Sequence, residues 1–186
     1  MSGLLVTITG PSGVGKSVVV KDIFSRYPFF GEAVSTTTRL PRKGEVEGVA
    51  YHFVDRNEFE FRWRTGKFLE RVEYNGNFYG IETTAVQKVH DAGKVALLVV
   101  EPHGACQIRE RWTGPLLQVF MQTPSEEVLR ERMEKRGDTP EQIQSRRTLD
   151  AKLMREDGFP WGMVVVNKTI QETSDEIVRK VETLRH

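Results

Sequence analysis

The run Gly10-Pro11-Ser12-Gly13-Val14-Gly15-Lys16-Ser17 fits the spacing G-x-x-x-x-G-K-[ST]. Its chemistry would be phosphate binding. The glycines let successive backbone N–H groups turn inward around phosphate oxygens. Lys16 then reaches the β- and γ-phosphates, and the Ser17 hydroxyl reaches Mg2+. The competing reading is a glycine turn followed by a solvated lysine. Average residue usage gives the four fixed positions a chance occurrence on the order of 1% or less in a chain this long. A lysine in a first helical turn also sits at the positive end of the helix dipole, an unfavourable place unless an anion is present. The run therefore predicts ATP or GTP binding and leaves the reaction open.

A second group lies in STTTRLPRKGEVEGVAYHF, residues 35–53. Arg39 and Arg42 are fork-shaped cations that match a phosphate bidentately. Pro41 keeps the segment from continuing as a helix, and Tyr51 adds a phenolic hydroxyl. Further on, FLERVEYNGNFYGIE supplies Glu70 and, beside Gly80, Tyr79. A kinase for a small acceptor needs a second anion site facing the first, and these residues are its candidates. Each alone reads equally well as a solvated surface residue. A third group, Arg130, Arg132, Arg136, Arg146 and Arg147, surrounds KRGDTP. Arg130, Arg132 and Arg147 read as a solvated helix face. Arg136 and Arg146 read as a catalytic lid, with residues 137–140 as its hinge.

Positioning these groups requires a rigid frame. Leu4–Thr9, Lys94–Val100, Leu116–Met121 and Met163–Val166 are short, nearly continuous apolar runs, as buried parallel strands are. Helical patterns separate them, over about Lys16–Tyr27, Thr83–Ala92, Gly104–Trp112, Ser125–Lys135, Pro140–Asp157 and Glu172–Leu184. The alternation predicts an α/β fold with a helix-covered parallel sheet. Residues 33–80 break that rhythm with short alternating strands and one helix near Arg56–Thr65, capped by Asp55 with Glu58 three residues on. They read as a small mixed β insert.

The 186 residues suit one domain, and 38% hydrophobic with 28% charged residues is ordinary for a soluble globular chain. With 27 Lys and Arg against 26 Asp and Glu, the net charge of +1 gives no case for nucleic-acid affinity. Cys106 is the single cysteine, which rules out an internal disulfide and a cysteine-based zinc site and suits a reducing, cytoplasmic setting. The N-terminal run LLVTIT is too short, and lacks the basic flank, for a signal peptide. No stretch approaches membrane-spanning length.

The segments ITGPSGVGKS, STTTRLPRKGEVEGVAYHFV, EFE, GKFLE, GNFYG, ERMEKRGDTPEQIQSR and VVVN together resemble the guanylate kinase family along almost the whole chain. The resemblance implies a core of residues 1–32, 82–124 and 158–186, a nucleoside monophosphate-binding insert over 33–81 and a helical lid over 125–157. It implies transfer of the ATP γ-phosphoryl group to GMP or dGMP, assisted by Mg2+. By matching position, Arg39, Arg42, Tyr51 and Tyr79 would hold the acceptor phosphate. Ser35 and Glu70 would read guanine, Arg136 and Arg146 would come from the lid region, and Asn167 would lie near the adenine of ATP.

The chain departs from the family pattern at Val99 and Glu101, where Asp-x-Asp is usual, at Ile81, where Ser or Thr stands, and at Lys168, where an acidic residue follows the asparagine. Glu101 would still help to position metal-bound water or the acceptor; His103 reads as structural or exposed. Two alternatives stay open: a kinase for a modified or different nucleotide, and a non-catalytic interaction module, against which the intact Lys16 and Ser17 count. The oligomeric state is not legible in the residues.

Overall fold

The computed structural model describes residues 3–144 and 161–185. Five parallel strands form the main sheet: β1 (Leu5–Thr9), β2 (Phe30–Gly31), β7 (Val95–Val99), β8 (Leu116–Gln122) and β9 (Met163–Val166), in the order β2-β7-β1-β8-β9. Helices α1 (Lys16–Arg26), α3 (Thr83–Asp91), α4 (Pro102–Arg111) and α7 (Ile170–Arg185) cover it. Successive strand residues point to opposite faces, and the core divides accordingly. Val6, Ile8, Leu97, Val119 and Met121 pack with Val19 and Ile23 of α1 and Ile177, Val178 and Val181 of α7. Leu5, Ala96 and Leu98 pack with Val86 and Val89 of α3 and Ala105 and Ile108 of α4.

A second sheet, in the order β4-β3-β6-β5, comprises β3 (Thr36–Thr37), β4 (His52–Phe53), β5 (Phe68–Tyr74) and β6 (Asn77–Glu82). Its β3–β4 pair is parallel and its other pairs are antiparallel. Helix α2 (Arg56–Arg64) lies on it through stacked Phe59, Phe68 and Phe78. The Asp55 carboxylate accepts the Glu58 N–H at 2.8 Å, the cap expected from sequence. Beyond β8, α5 (Glu126–Lys135) is followed by α6, which opens at Pro140 and is described as far as Gln144. The mixed α/β class expected from the strand and helix patterns is the one observed.

One strand is not expected from the sequence pattern, and two helices start two residues earlier than the pattern suggests. Strand β2 has only two residues, too few to leave an alternation, yet it pairs with Val95 and Ala96 and extends the sheet. Helix α4 starts at Pro102 rather than Gly104, because a first-turn proline loses no helical hydrogen bond. Helix α7 starts at Ile170 rather than Glu172: the Thr169 hydroxyl accepts the Glu172 N–H at 3.3 Å and lies 2.8 Å from Glu172 Oε2, so Thr169-x-x-Glu172 forms the cap.

Candidate active site

Because the main strands are parallel, everything that follows their C-terminal ends lies along one edge of the sheet, where α/β folds bind ligands. The glycine loop follows β1, Glu101 follows β7, Ser125 and α5 follow β8, and Asn167 follows β9. Helix α1 opens directly from the loop. Its N-cap, Gly15, has φ +104°, and a Cβ there would come within 2.6 Å of Asn167 Nδ2, so glycine is required on both grounds. No acidic residue stands in the first turn of α1, which leaves its N-terminus electropositive. Lys16 Nζ folds over the loop and donates to the carbonyls of Gly10 at 2.5 Å and Pro11 at 3.3 Å. Ser17 is exposed beside it.

The outer side of the loop is fastened to the core. Asn167, only 3% exposed, donates from Nδ2 to the Val14 carbonyl at 2.7 Å and accepts from the Thr173 hydroxyl at 3.1 Å. Arg132 donates to the same Val14 carbonyl and to the Asn167 carbonyl, each at 3.1 Å. The expectation that Arg132 belongs to a solvated face is therefore corrected: it bridges α5 to the loop and to the end of β9. No local sequence signal marks a partner 118 residues away. Arg130, by contrast, is exposed and pairs within its own helix with Glu134. Gly13, Gly15, Val18, Arg132, Asn167, Lys168, Thr169 and Ile170 line a cleft of about 430 Å³ against the loop. The Asn167 amide is turned toward Val14, so this residue's contribution to the cleft is first to shape its wall.

On the second sheet, Arg39, Tyr51 and Tyr79 come together. The Arg39 guanidinium lies 5.3 Å from the Tyr51 ring centre, and the Tyr51 and Tyr79 rings are 5.9 Å apart. Arg39 also pairs with Glu45, a residue the sequence reading did not single out. The Glu45 carboxylate, then Tyr79, raise the Arg39 pKa against the opposing effect of burial. Arg42 is exposed on the same turn, and Ser35 is half-buried just before β3.

Glu70 is buried, at 8% exposure. Burial pushes its carboxyl up to about 7, opposed by the smaller effect of the Ile81 backbone N–H. Its close neighbour is Gly104 at the start of α4, where a Cβ would lie 3.0 Å from Oε2. Gln107, one turn on, holds this strand to α4 by bonding both the N–H and the C=O of Arg71, at 3.1 and 3.0 Å. Ile81 stands opposite Glu70 in the β5–β6 register and packs in the apolar cluster with Leu69, Ala85 and Val100. Its side chain is thus a core element that keeps the carboxyl dry.

Glu101 is exposed at the N-cap of α4, and His103 is exposed one turn in. Arg136, at the end of α5, pairs with Asp138 and reaches Ser12 Oγ of the loop at 3.5 Å. Gly137 follows with φ +92°, where the chain turns away. Arg146 and Arg147 lie outside the described residues.

The sequence model of the guanylate kinase family matches residues 2–184. The chain belongs to the guanylate kinase family. A guanylate kinase of Alkalilimnicola ehrlichii is 37% identical over 186 residues, spanning 100% of this chain and 91% of that protein. One from Trichormus variabilis is 42% identical over 146 residues, 78% of this chain and 73% of the other. The crystal structure of guanylate kinase from Anaplasma phagocytophilum superposes with a TM-score of 0.71 at 29% identity, covering 99% of this chain and 87% of that one. A sugar kinase from Janibacter sp. HTCC2649 reaches 0.55 at 14% identity, a likeness of fold alone. No described helix is long and apolar enough to cross a membrane.

Proposed function

We propose that this chain transfers the γ-phosphoryl group of ATP to GMP or dGMP. The observation that carries the reading is the pairing of an intact phosphate loop with a buried carboxyl on the neighbouring sheet, Glu70, which only accepts hydrogen bonds when ionised. In this reading residues 33–81 hold the acceptor, residues 125–157 form the lid, and the cleft beside Asn167 takes adenine.

The acceptor needs no general base. The second pKa of a phosphate monoester is near 6, so its attacking oxygen is largely deprotonated at neutral pH. That oxygen bonds to the γ-phosphorus as the bond to the β,γ-bridging oxygen breaks, and ADP leaves. The obstacle is the approach of two anions in line, and cations remove it. Lys16 and the loop N–H groups hold the donor. Arg39 and Arg42, with the Tyr51 and Tyr79 hydroxyls, hold the acceptor phosphate. Arg136, with Arg146, adds charge from the lid side.

No three His, Cys, Asp or Glu among the described residues cluster as metal ligands. Mg2+ fits such a donor-poor site, because it keeps several waters and is bound largely through substrate phosphates. Ser17 would hold it and Glu101, at the end of the strand paired with β1, would orient its water; the ion would neutralise charge on the β- and γ-phosphates. Ser35 and Glu70 would read guanine, whose N1–H and N2–H2 lie side by side, whereas adenine offers neither donor.

The deciding experiment is an ADP-release assay with Mg2+-ATP across a panel of monophosphates. Turnover of GMP or dGMP with AMP, CMP and UMP inert is the expected result; equal turnover of AMP would refute the base assignment. Arg39→Ala and Arg42→Ala are each expected to raise the acceptor KM about tenfold or more, the loss of a charge-assisted hydrogen bond, and to leave ATP binding unchanged in nucleotide titrations. Ile81→Thr separates ordinary GMP from an altered base as the acceptor. A GMP KM lower by about threefold to tenfold, one neutral hydrogen bond, is expected if GMP is the natural acceptor.

A further inference from the structure

Glu45 occupies one edge of Arg39 and leaves the other. Its two carboxylate oxygens accept from Arg39 Nη1 at 3.0 Å and Nη2 at 2.8 Å, the end-on fork of the guanidinium. The Leu40 carbonyl takes Nη1 as well, at 2.7 Å. The side-on edge, Nε with the second Nη2 proton, is not used by Glu45. The same carboxylate reaches further: its Oε2 accepts the Arg42 backbone N–H at 2.7 Å, while the Glu45 N–H donates to the Arg42 carbonyl at 3.0 Å. This closed turn depends on Gly44, whose φ of +87° disfavours other residues even though a Cβ there would meet nothing. One carboxylate therefore fixes a side chain and a backbone that are three residues apart.

Resting on the acceptor-site reading above, we infer that Glu45 is the positioning residue of the acceptor-phosphate site. It aims the side-on edge of Arg39 at the phosphate and sets the turn that presents Arg42. An arginine already anchored in this way loses little side-chain freedom when the anion arrives. The bidentate pair and the Arg42 N–H also hold the Glu45 carboxyl below the usual range, so the anchor stays ionised at neutral pH. Glu45 does not touch the reacting atoms and takes no part in ATP binding.

The test is steady-state kinetics of Glu45→Gln, Glu45→Asp and Arg39→Ala/Glu45→Gln, with GMP as the varied acceptor. Glu45→Gln keeps one accepting oxygen and loses the charge. It should raise the GMP KM about fivefold to tenfold, the equivalent of one weakened charge-assisted hydrogen bond. The ATP KM, kcat and melting temperature should hold, which a merely structural role would not produce. Glu45→Asp keeps the charge but is too short to span both partners, and should recover only part of the loss. In the Arg39→Ala background the Glu45→Gln effect should shrink to the part carried through Arg42, and an effect of full size there overturns the inference. An unchanged GMP KM in Glu45→Gln overturns the inference, as does a lowered one, which would make Glu45 a competitor for the phosphate. If Arg39→Ala alone leaves the GMP KM unchanged, the acceptor-site reading fails instead.

Discussion

Lys16→Ala is expected to lower kcat by at least about 10²-fold while the protein stays folded. Preorganised charge aimed at a transferring phosphoryl group is worth on the order of 3–4 kcal/mol when removed singly. The ammonium folds over the loop onto the Gly10 and Pro11 carbonyls, so it stands where donor phosphates would sit. Beside the Lys16 contacts, Asn167 and Arg132 fasten the loop from behind through Val14. The far-ultraviolet dichroism and melting temperature should therefore stay close to those of the parent. Single-turnover transfer from labelled ATP to GMP is the measurement. A variant with unchanged kcat would show that the loop is not the donor site.

What could be read from the residues divides by how local the determinant is. The glycine loop, the apolar strands and the Asp55 cap are set by neighbours within a few positions, and the chain displays them openly. Strand β2 did not show because two residues carry no period. Glu45 lies six residues from Arg39, close enough to notice, but nothing in the order Arg-Leu-Pro-Arg-Lys-Gly-Glu says that the turn at Gly44 swings the carboxylate back onto both arginines. Arg132 and Gln107 were beyond reach, because the groups they bond, Val14 and Arg71, come from distant parts of the chain. Position 81 was legible as a departure from the family pattern. That its side chain belongs to the core beside the carboxyl depends on the β5–β6 register, which the sequence does not display.

That register bears on the second large effect, at Glu70. Glu70→Gln is expected to abolish discrimination for guanine and, at pH 8, to stabilise the ligand-free protein. The carboxyl is 8% exposed, and burial raises it from 4.5 to about 7. In the folded state it therefore binds a proton between these values that the unfolded chain has released. Unfolding then releases a proton, so stability falls as pH rises from about 4.5 to about 7 and levels off above. A shift of this size corresponds to roughly 3 kcal/mol lost by pH 8. The neutral amide avoids this cost; a gain of 1–3 kcal/mol, or roughly 3–10 °C in Tm for a domain of this length, is expected. Ligand binding has the opposite sign. Guanine donates two hydrogen bonds and needs the ionised form, so acceptor affinity should rise with pH through about 7 and then level off. The acceptor's own phosphate titrates near 6, and Glu70→Gln removes the carboxyl step while keeping the phosphate step, which isolates the former. The measurements are melting curves at pH 5 and pH 8 and GMP titrations from pH 6 to pH 8.5, on both proteins. Parallel pH profiles for parent and variant would show that Glu70 does not meet the base. A variant no more stable than the parent at pH 8 would show that the carboxyl is not held in a costly, dry site.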